Sequence, residues 1–292
     1  MRFSEIGQQL RAYRLESGLR AEEIAARLGV SRAALYRYEK GDVIKLDTIQ
    51  RLAELLKISP LSLLGIGIEY YTRPVGYVER ARQLEETAEQ ILEIGGPLSY
   101  LTTSSMFDRV IAETLEEVGT ASGQDRAVVR AMLEQVAGIQ ASRKHAYQQR
   151  RPGIIAMIPI AAVRNFLRLG VCGHLPLSET RRTHGRDLAI TEIEAMADIM
   201  QAEPIGLQMG LLAHDVPSGA FRLIRARDRA HLVLNPFPPD MAPSAECNVA
   251  MITGSDEAVH SHQRAAEACW RDALKGASGA ARLRALIAET RS

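Results

Sequence analysis

The sequence predicts an α + α/β chain: an N-terminal bundle of five short helices, then an α/β domain with a central, mixed sheet. Three observations carry this reading. Up to residue 64 apolar residues recur at helical spacing and single glycines punctuate them. Beyond residue 95 apolar runs of strand length alternate with amphipathic stretches. The 292 residues, 46% hydrophobic and 24% charged, are enough for about two domains of ordinary globular composition. The expected divisions are 1–68, a connector over 69–78, and 79–292.

Ile6, Leu10 and Tyr13 give the first helix its apolar face, and Gly18 ends it. Ile24, Ala25 and Leu28 mark a second helix, closed by Gly29. Ser31 is the N-cap of a third that runs through Lys40 and stops at Gly41. Leu46, Ile49, Leu52, Ala53 and Leu56 make a fourth, and Pro60 starts the last turn, LSLLG. The stretch 65–74 has two glycines and a proline among apolar residues, which marks a partly packed boundary rather than a free linker. A long helix is expected over 75–94, ending at Gly95-Gly96. Strands are expected at 97–101, 153–160, 205–213 and 247–254, with an antiparallel hairpin over 220–236. Helices are expected at 105–118, 125–148, 160–169, 187–202 and 256–274. Met196, Met200, Met209 and Trp270 read as core residues, and Tyr100 with Thr102, Thr103, Ser104 and Ser105 reads as an N-cap run for the helix at Met106 or, alternatively, as a polar rim of a pocket.

Composition excludes several function classes. Thirty-six Lys+Arg against 35 Asp+Glu leave a net charge of +1, so bulk charge cannot hold nucleic acid and any such contact must be local. The three cysteines, Cys172, Cys247 and Cys269, form no C-x-x-C pair, which excludes a disulfide scaffold and a four-cysteine zinc site. The opening MRFSEIGQQLRAYR has no apolar core, and no apolar run approaches membrane-spanning length. A cytoplasmic protein is expected.

The strongest signal is GLRAEEIAARLGVSRAALYRYEKGD, two short helices joined by Leu28-Gly29-Val30-Ser31 at the spacing of a helix-turn-helix. From Ile6 to Leu64 the chain resembles the Xre/Cro-repressor-like family of DNA-binding domains. The matching features are Gly18-Leu19, Glu22-Glu23-Ile24-Ala25, Gly29-Val30-Ser31, Tyr38-Glu39-Lys40-Gly41, and Leu52-Ala53 to Leu56. The resemblance covers about a fifth of the chain. It implies that Arg32, Ala33, Tyr36, Arg37 and Lys40 face the major groove, where an arginine fork suits guanine and Ala33 suits a thymine methyl, and that Ser31 also belongs to the DNA-binding set. Arg20 and Ala21 stand where the family places a polar residue and a glutamine, so Arg20 is expected to supply a phosphate contact instead. Leu35, Tyr38 and Glu39 are assigned to the structural side of that helix. Through Arg73 there are 12 Lys+Arg and 9 Asp+Glu, a small surplus, so tight binding to double-stranded DNA is expected to need a homodimer on a palindromic operator.

In the second domain the stretch 86–142 holds nine acidic and three basic residues, and 143–186 holds nine basic and one acidic. One reading is two solvated faces that pair with each other. The other is a clamp for an acidic small-molecule effector, built from Arg164, Arg168, Arg181 and Arg186 with Cys172, His174 and His184 in the loop between. Neither Cys172 with His174 and His184, nor His260 with His262 and Cys269, is spaced convincingly for a metal, and no cofactor is expected. The chain has no G-x-S-x-G, P-loop, H-E-x-x-H or G-x-G-x-x-G. The strand–helix order and the closing EAVHSHQRAAEACWRDAL loosely resemble phospholipase-D-like sensor domains. Catalytic members of that superfamily need His-x-Lys, and none of the seven histidines here is followed two positions on by lysine. The resemblance therefore implies a binding fold without the nucleophile.

The reading is a DNA-binding transcriptional regulator whose second domain senses a small, acidic metabolite, not an enzyme. Its rivals are a constitutive repressor or antitoxin-like protein, whose second domain only dimerises or binds a protein, and a DNA-tethered enzyme.

Overall fold

A computed structural model describes residues 3–214, 219–242 and 248–291. Five helices come first: α1 (Phe3–Ser17), α2 (Ala21–Leu28), α3 (Arg32–Glu39), α4 (Leu46–Leu56) and α5 (Pro60–Leu63). Then follow β1 (Ile68–Tyr71), α6 (Pro74–Glu86), β2 (Gln90–Ile94), α7 (Ser105–Ala121), α8 (Arg126–Arg150), β3 (Gly153–Pro159) and α9 (Ile160–Leu169). The chain continues through α10 (Glu179–Ala202), β4 (Leu207–Leu212), β5 (Phe221–Arg225), β6 (Ala230–Leu234), β7 (Ala250–Thr253), α11 (Asp256–Asp272), β8 (Leu274–Lys275) and α12 (Gly276–Arg291). An N-terminal helical bundle followed by an α/β domain with a mixed sheet is the architecture expected from the sequence.

The sheet has the order β1-β7-β6-β5-β2-β3-β4-β8. Among the described residues only the β2-β3 and β3-β4 pairings are parallel, linked by crossovers through α7–α8 and α9–α10. Alternation along the strands divides the core. Ile91, Ile154, Ile158, Val233 and Ile252 join the larger core shared with the bundle, while Leu92, Leu223 and Leu232 pack with Val259 and Ala266 of α11. Met196, Met200 and Met209 are buried in the larger core.

Several elements differ from the expectation. The long helix over 75–94 is α6 plus a strand, because Ile91 and its neighbours ladder with β3 on one side and β5 on the other. Amphipathic periodicity running through Glu85-Glu86 hides that break. The strand expected at 97–101 is absent: the chain leaves the sheet at Gly95, whose φ of 108° and 2.7 Å approach to Ala220 admit no side chain, and Tyr100–Thr102 forms a 3-10 turn. Helix α10 starts at Glu179, eight residues before 187, capped by Ser178. Strands β1 and β8 and helix α12 have no counterpart in the sequence reading. The hairpin is β5–β6. The start of the strand expected at 247–254, including Cys247, lies outside the described residues.

The stretch 65–78 contains an edge strand and the start of α6, and both are fastened to α1. Tyr13 stacks on Tyr71 with ring centroids 5.4 Å apart. Glu69, fully enclosed, is held by both Nε and Nη2 of Arg80 at 2.8 Å, by Gln9 Nε2 at 2.7 Å and by the Tyr71 hydroxyl at 2.8 Å. Burial, the largest single influence, would raise its carboxyl, but Arg80 together with the hydrogen bonds from Gln9 and Tyr71 lowers it. On the next turns of α6, buried Glu79 accepts from Arg11, Arg82 and Gln83. Glu85 accepts from Arg143 Nε and Nη2 at 2.8 and 2.7 Å and from Arg222 Nη2 at 2.6 Å.

The Glu85 carboxyl is again pushed up by burial and pulled down further by Arg143 and Arg222, to about 2. A carboxyl depressed on folding stabilises fully above its unfolded value, near 4.5, and loses that contribution as pH falls through 2. His231 is driven down to about 4, first by burial and then by Arg80, so protonation opposes folding once pH drops below its ordinary 6.5. Urea denaturation should therefore show stability declining from pH 6.5 and falling more steeply below 4.5. At pH 7 Glu85→Gln should cost about 3–5 kcal/mol, because two buried guanidiniums lose their carboxylate. The gap between variant and wild type should close toward pH 2, and a gap independent of pH would contradict this account.

Candidate functional site

The first candidate site is the outer face of α3. Glu23 accepts from the Arg20 backbone N–H at 2.8 Å and fixes the start of α2. Gly29 takes the left-handed conformation (φ 71°) that ends α2, and its neighbour Val30 donates back to the Ala25 carbonyl at 3.0 Å. Ser31 then caps α3 by accepting from Ala34 N–H at 3.1 Å. The tight turn orients α3 with Leu35 and Glu39 inward and Ser31, Arg32, Ala33, Arg37 and Lys40 outward. Tyr36 is half-buried at the border, and Arg20 is exposed at the start of α2.

Two contacts hold that face rigid from behind. Arg14 on α1 grips the buried Glu39 with two bonds, 2.5 and 3.1 Å long. Gly7 lies so close to the end of α3 that a side chain there would fall 2.5 Å from the Tyr38 carbonyl. At the front, Arg32 pairs with Glu22 at 2.7 Å, donates to the Tyr36 hydroxyl at 3.2 Å and lies over its ring. Arg37 lies 3.4 Å from Asp42. Both front pairs are exposed and hence easily exchanged for another anion.

The second candidate is a cavity of about 390 Å³ at the carboxyl ends of the parallel strands β2 and β3, where open α/β sheets present their clefts. Gly95 to Leu98 and the stretch 236–240 form its rim, and α6 and α8 contribute Tyr77 and Arg143. Tyr77 and Phe237 pack ring against ring at 5.4 Å. Glu93 and Arg222 face each other across the β2–β5 ladder and both line the cavity.

The seven residues expected at an effector clamp do not converge, and none of them lines this cavity. Arg181 pairs with Glu113 and Glu117 at 3.1 and 2.8 Å, and Arg186 lies 3.7 Å from Glu179. Arg164 lies 3.6 Å from Glu289, and Arg168 donates to Asn165. Cys172 is enclosed in a small core beneath α7 and α10, where burial raises its thiol, and His184 is exposed. His174 Nδ1 lies 3.5 Å from the lining residue Asp240, and Cys172 packs in a cluster that includes the lining residues Phe107, Leu98 and Phe166. The acidic and basic stretches instead pair with each other, through Arg181 and through Lys144 with Asp108 at 2.6 Å. Among the described residues no cluster of three metal-ligating side chains occurs. The sequence reading missed Arg222 and Glu93. Their signal was a charge set inside each of two apolar strands, Arg222 in FRLIR, which also ends in Arg225, and Glu93 in QILEI.

Residues 5–63 match the family described as a helix-turn-helix domain. The chain is also similar to two curated proteins that carry provisional names as HTH-type transcriptional regulatory proteins. The one from Pyrococcus horikoshii is 29% identical over 126 residues, covering 41% of this chain and 38% of that protein. The one from Pyrococcus abyssi is 25% identical over 168 residues, covering 54% of this chain and 52% of that protein. The chain thus spans about half or less of the length of these relatives.

If Arg14 sets the pose of α3, Arg14→Met should lower stability by about 1.5–3 kcal/mol, since Glu39 loses a charge-assisted pair. Thermal unfolding followed by circular dichroism checks this, and an unchanged melting temperature would remove Arg14 from that role.

Proposed function

We propose that this chain is a sequence-specific DNA-binding transcriptional regulator, acting as a homodimer on a palindromic operator in the cytoplasm. The observation that carries the proposal is the exposed basic face of α3, held rigid from behind by Arg14 and the Gly7 contact. Arg32 and Arg37 read base edges, Ala33 meets a thymine methyl, and Ser31, Tyr36 and Lys40 flank them. Arg20 reaches a phosphate. Glu22 and Asp42 keep the two reading arginines paired until DNA displaces them, and affinity falls with salt according to the number of phosphate contacts. The match to a helix-turn-helix domain and the names of the two relatives support the same reading.

In this proposal the α/β domain senses a small molecule and catalyses nothing, in keeping with a loosely phospholipase-D-like fold that has no His-x-Lys. No helix among the described residues is long and apolar enough to cross a membrane. A second reading, a constitutive repressor or antitoxin-like protein whose α/β domain only dimerises or binds a protein, draws on one feature. Ile68 and Tyr70 are exposed along the edge strand β1, and Ile66 is exposed just before it. The two readings share the DNA-binding bundle and differ in whether the cavity has an occupant.

Selection of DNA from a randomised pool by the intact protein should enrich paired half-sites. On that DNA Arg32→Ala and Arg37→Ala should each weaken binding by about 1–3 kcal/mol with folding unchanged. Equal affinity of both variants would remove α3 as the reading helix. Light scattering should give a dimer, because one module neutralises few phosphates and tethering a second raises its local concentration. A monomer both free and on DNA would refute the palindromic arrangement.

A further inference from the structure

The cavity at the ends of β2 and β3 is mostly walled by apolar groups, among them Tyr77, Leu98, Phe166 and Phe237, and its volume suits a small molecule. Its polar lining includes Arg222 and Glu93. Arg222 and Glu93 stand opposite each other in the ladder, yet Arg222 Nε lies 3.5 Å from Glu93 Oε2, a charge contact and not a hydrogen bond. Nε and Nη1 of Arg222 and Oε1 of Glu93 are enclosed, and among the described residues they have no hydrogen-bond partner. The Arg222 side chain is only 8% exposed. Buried donors and acceptors are paired in all but a few cases, so unmatched groups on adjacent cavity-lining residues call for a molecule that supplies both complements.

The charge around the cavity decides what kind of molecule. Arg143 and Arg222 are answered by Glu85 behind them, and Arg222 also by Glu93 on the wall, while Asp240 on the rim lies 3.5 Å from His174. The positive charge is thus already met, and an added carboxylate would stand beside Glu93 without a cation of its own. A lone cation would leave the Arg222 donors unmatched. We infer that the cavity binds a molecule of zero net charge with an apolar, ring-sized body and one polar edge, a hydrogen-bond acceptor for Arg222 beside a donor for Glu93. Primary amides, cyclic amides and zwitterionic apolar amino acids share that edge. The assignment rests on the reading of the α/β domain as a sensor and replaces the expectation of an acidic effector.

A matched series on one body tests it with the intact protein: 2-phenylacetamide, L-phenylalanine, phenylacetate and 2-phenylethylamine, followed by ligand-detected NMR titration. The amide or the amino acid should bind at least about tenfold more tightly than the anion and the cation. Preference between those two distinguishes an amide edge from a zwitterion. Glu93→Gln removes the wall carboxylate but keeps an acceptor, so phenylacetate should gain about tenfold while 2-phenylacetamide shifts by less than about threefold. Circular dichroism of the variant verifies its fold, and the wild-type ranking is informative without it. The inference is overturned if phenylacetate matches the amide on wild type, if all four fail to bind below about 10 mM, or if the Glu93 variant leaves phenylacetate unchanged. DNA affinity measured on the same samples separates the two conclusions. Loss of the ranking with DNA binding intact removes only the ligand assignment, while the ranking without DNA binding removes only the regulator.

Discussion

Helix α6 carries three buried charges, Glu79, Arg80 and Glu85, and much of the molecule is arranged to meet them. Each would be expensive alone, since stranding one buried charge costs about 3–5 kcal/mol. Their partners come from different elements. Glu79 draws on Arg11 of α1, and Arg80 on Glu69 of β1, which in turn takes a bond from Gln9 of α1. Glu85 draws on Arg143 of α8 and Arg222 of β5. One helix of 13 residues thereby fixes the bundle, the edge strand, the long crossover helix and the centre of the sheet.

This arrangement ties the two candidate sites to one rigid element. On one side α6 offers Glu79 and Gln83 to α1, the helix that clamps α3 through Arg14 and Glu39. On the other it contributes Tyr77 to the cavity wall and anchors the two arginines there through Glu85. In the proposed regulator a ligand acts by its different affinity for two arrangements of these elements. The segment between bundle and sheet adds little slack, because Glu16 accepts from the backbone of both Thr72 and Arg73 and β1 is laddered to β7. In that proposal a change at the cavity would reach the bundle through α6 itself.

Much of the bundle was legible in the sequence because its determinants are local. The αL glycine at 29, the cap at Ser31 and the 3.6-residue spacing of Ile24 and Leu28 act within a turn or two of themselves. The outward face of α3 follows from them. What the sequence hid depends on distant partners. QILEI becomes a strand only because β3 and β5 flank it, and the edge strand β1 exists only because β7 offers a ladder. The arginine-rich stretch 143–186 drew attention by its density, yet density on a surface mostly marks pairing with an opposite face, here with Glu113, Glu117 and Asp108. The two polar groups that face each other at the cavity are single charges 129 positions apart, at Glu93 and Arg222, joined only by strand pairing.

Native-state hydrogen exchange on α1 and α6 tests the central claim most directly. If their shared buried charges make the bundle and the α/β domain one cooperative unit, the slowest amides of both helices should open with the same free energy, within about 1 kcal/mol of global unfolding. A bundle that opens several kcal/mol more easily, while α6 stays protected on the sheet, would contradict it.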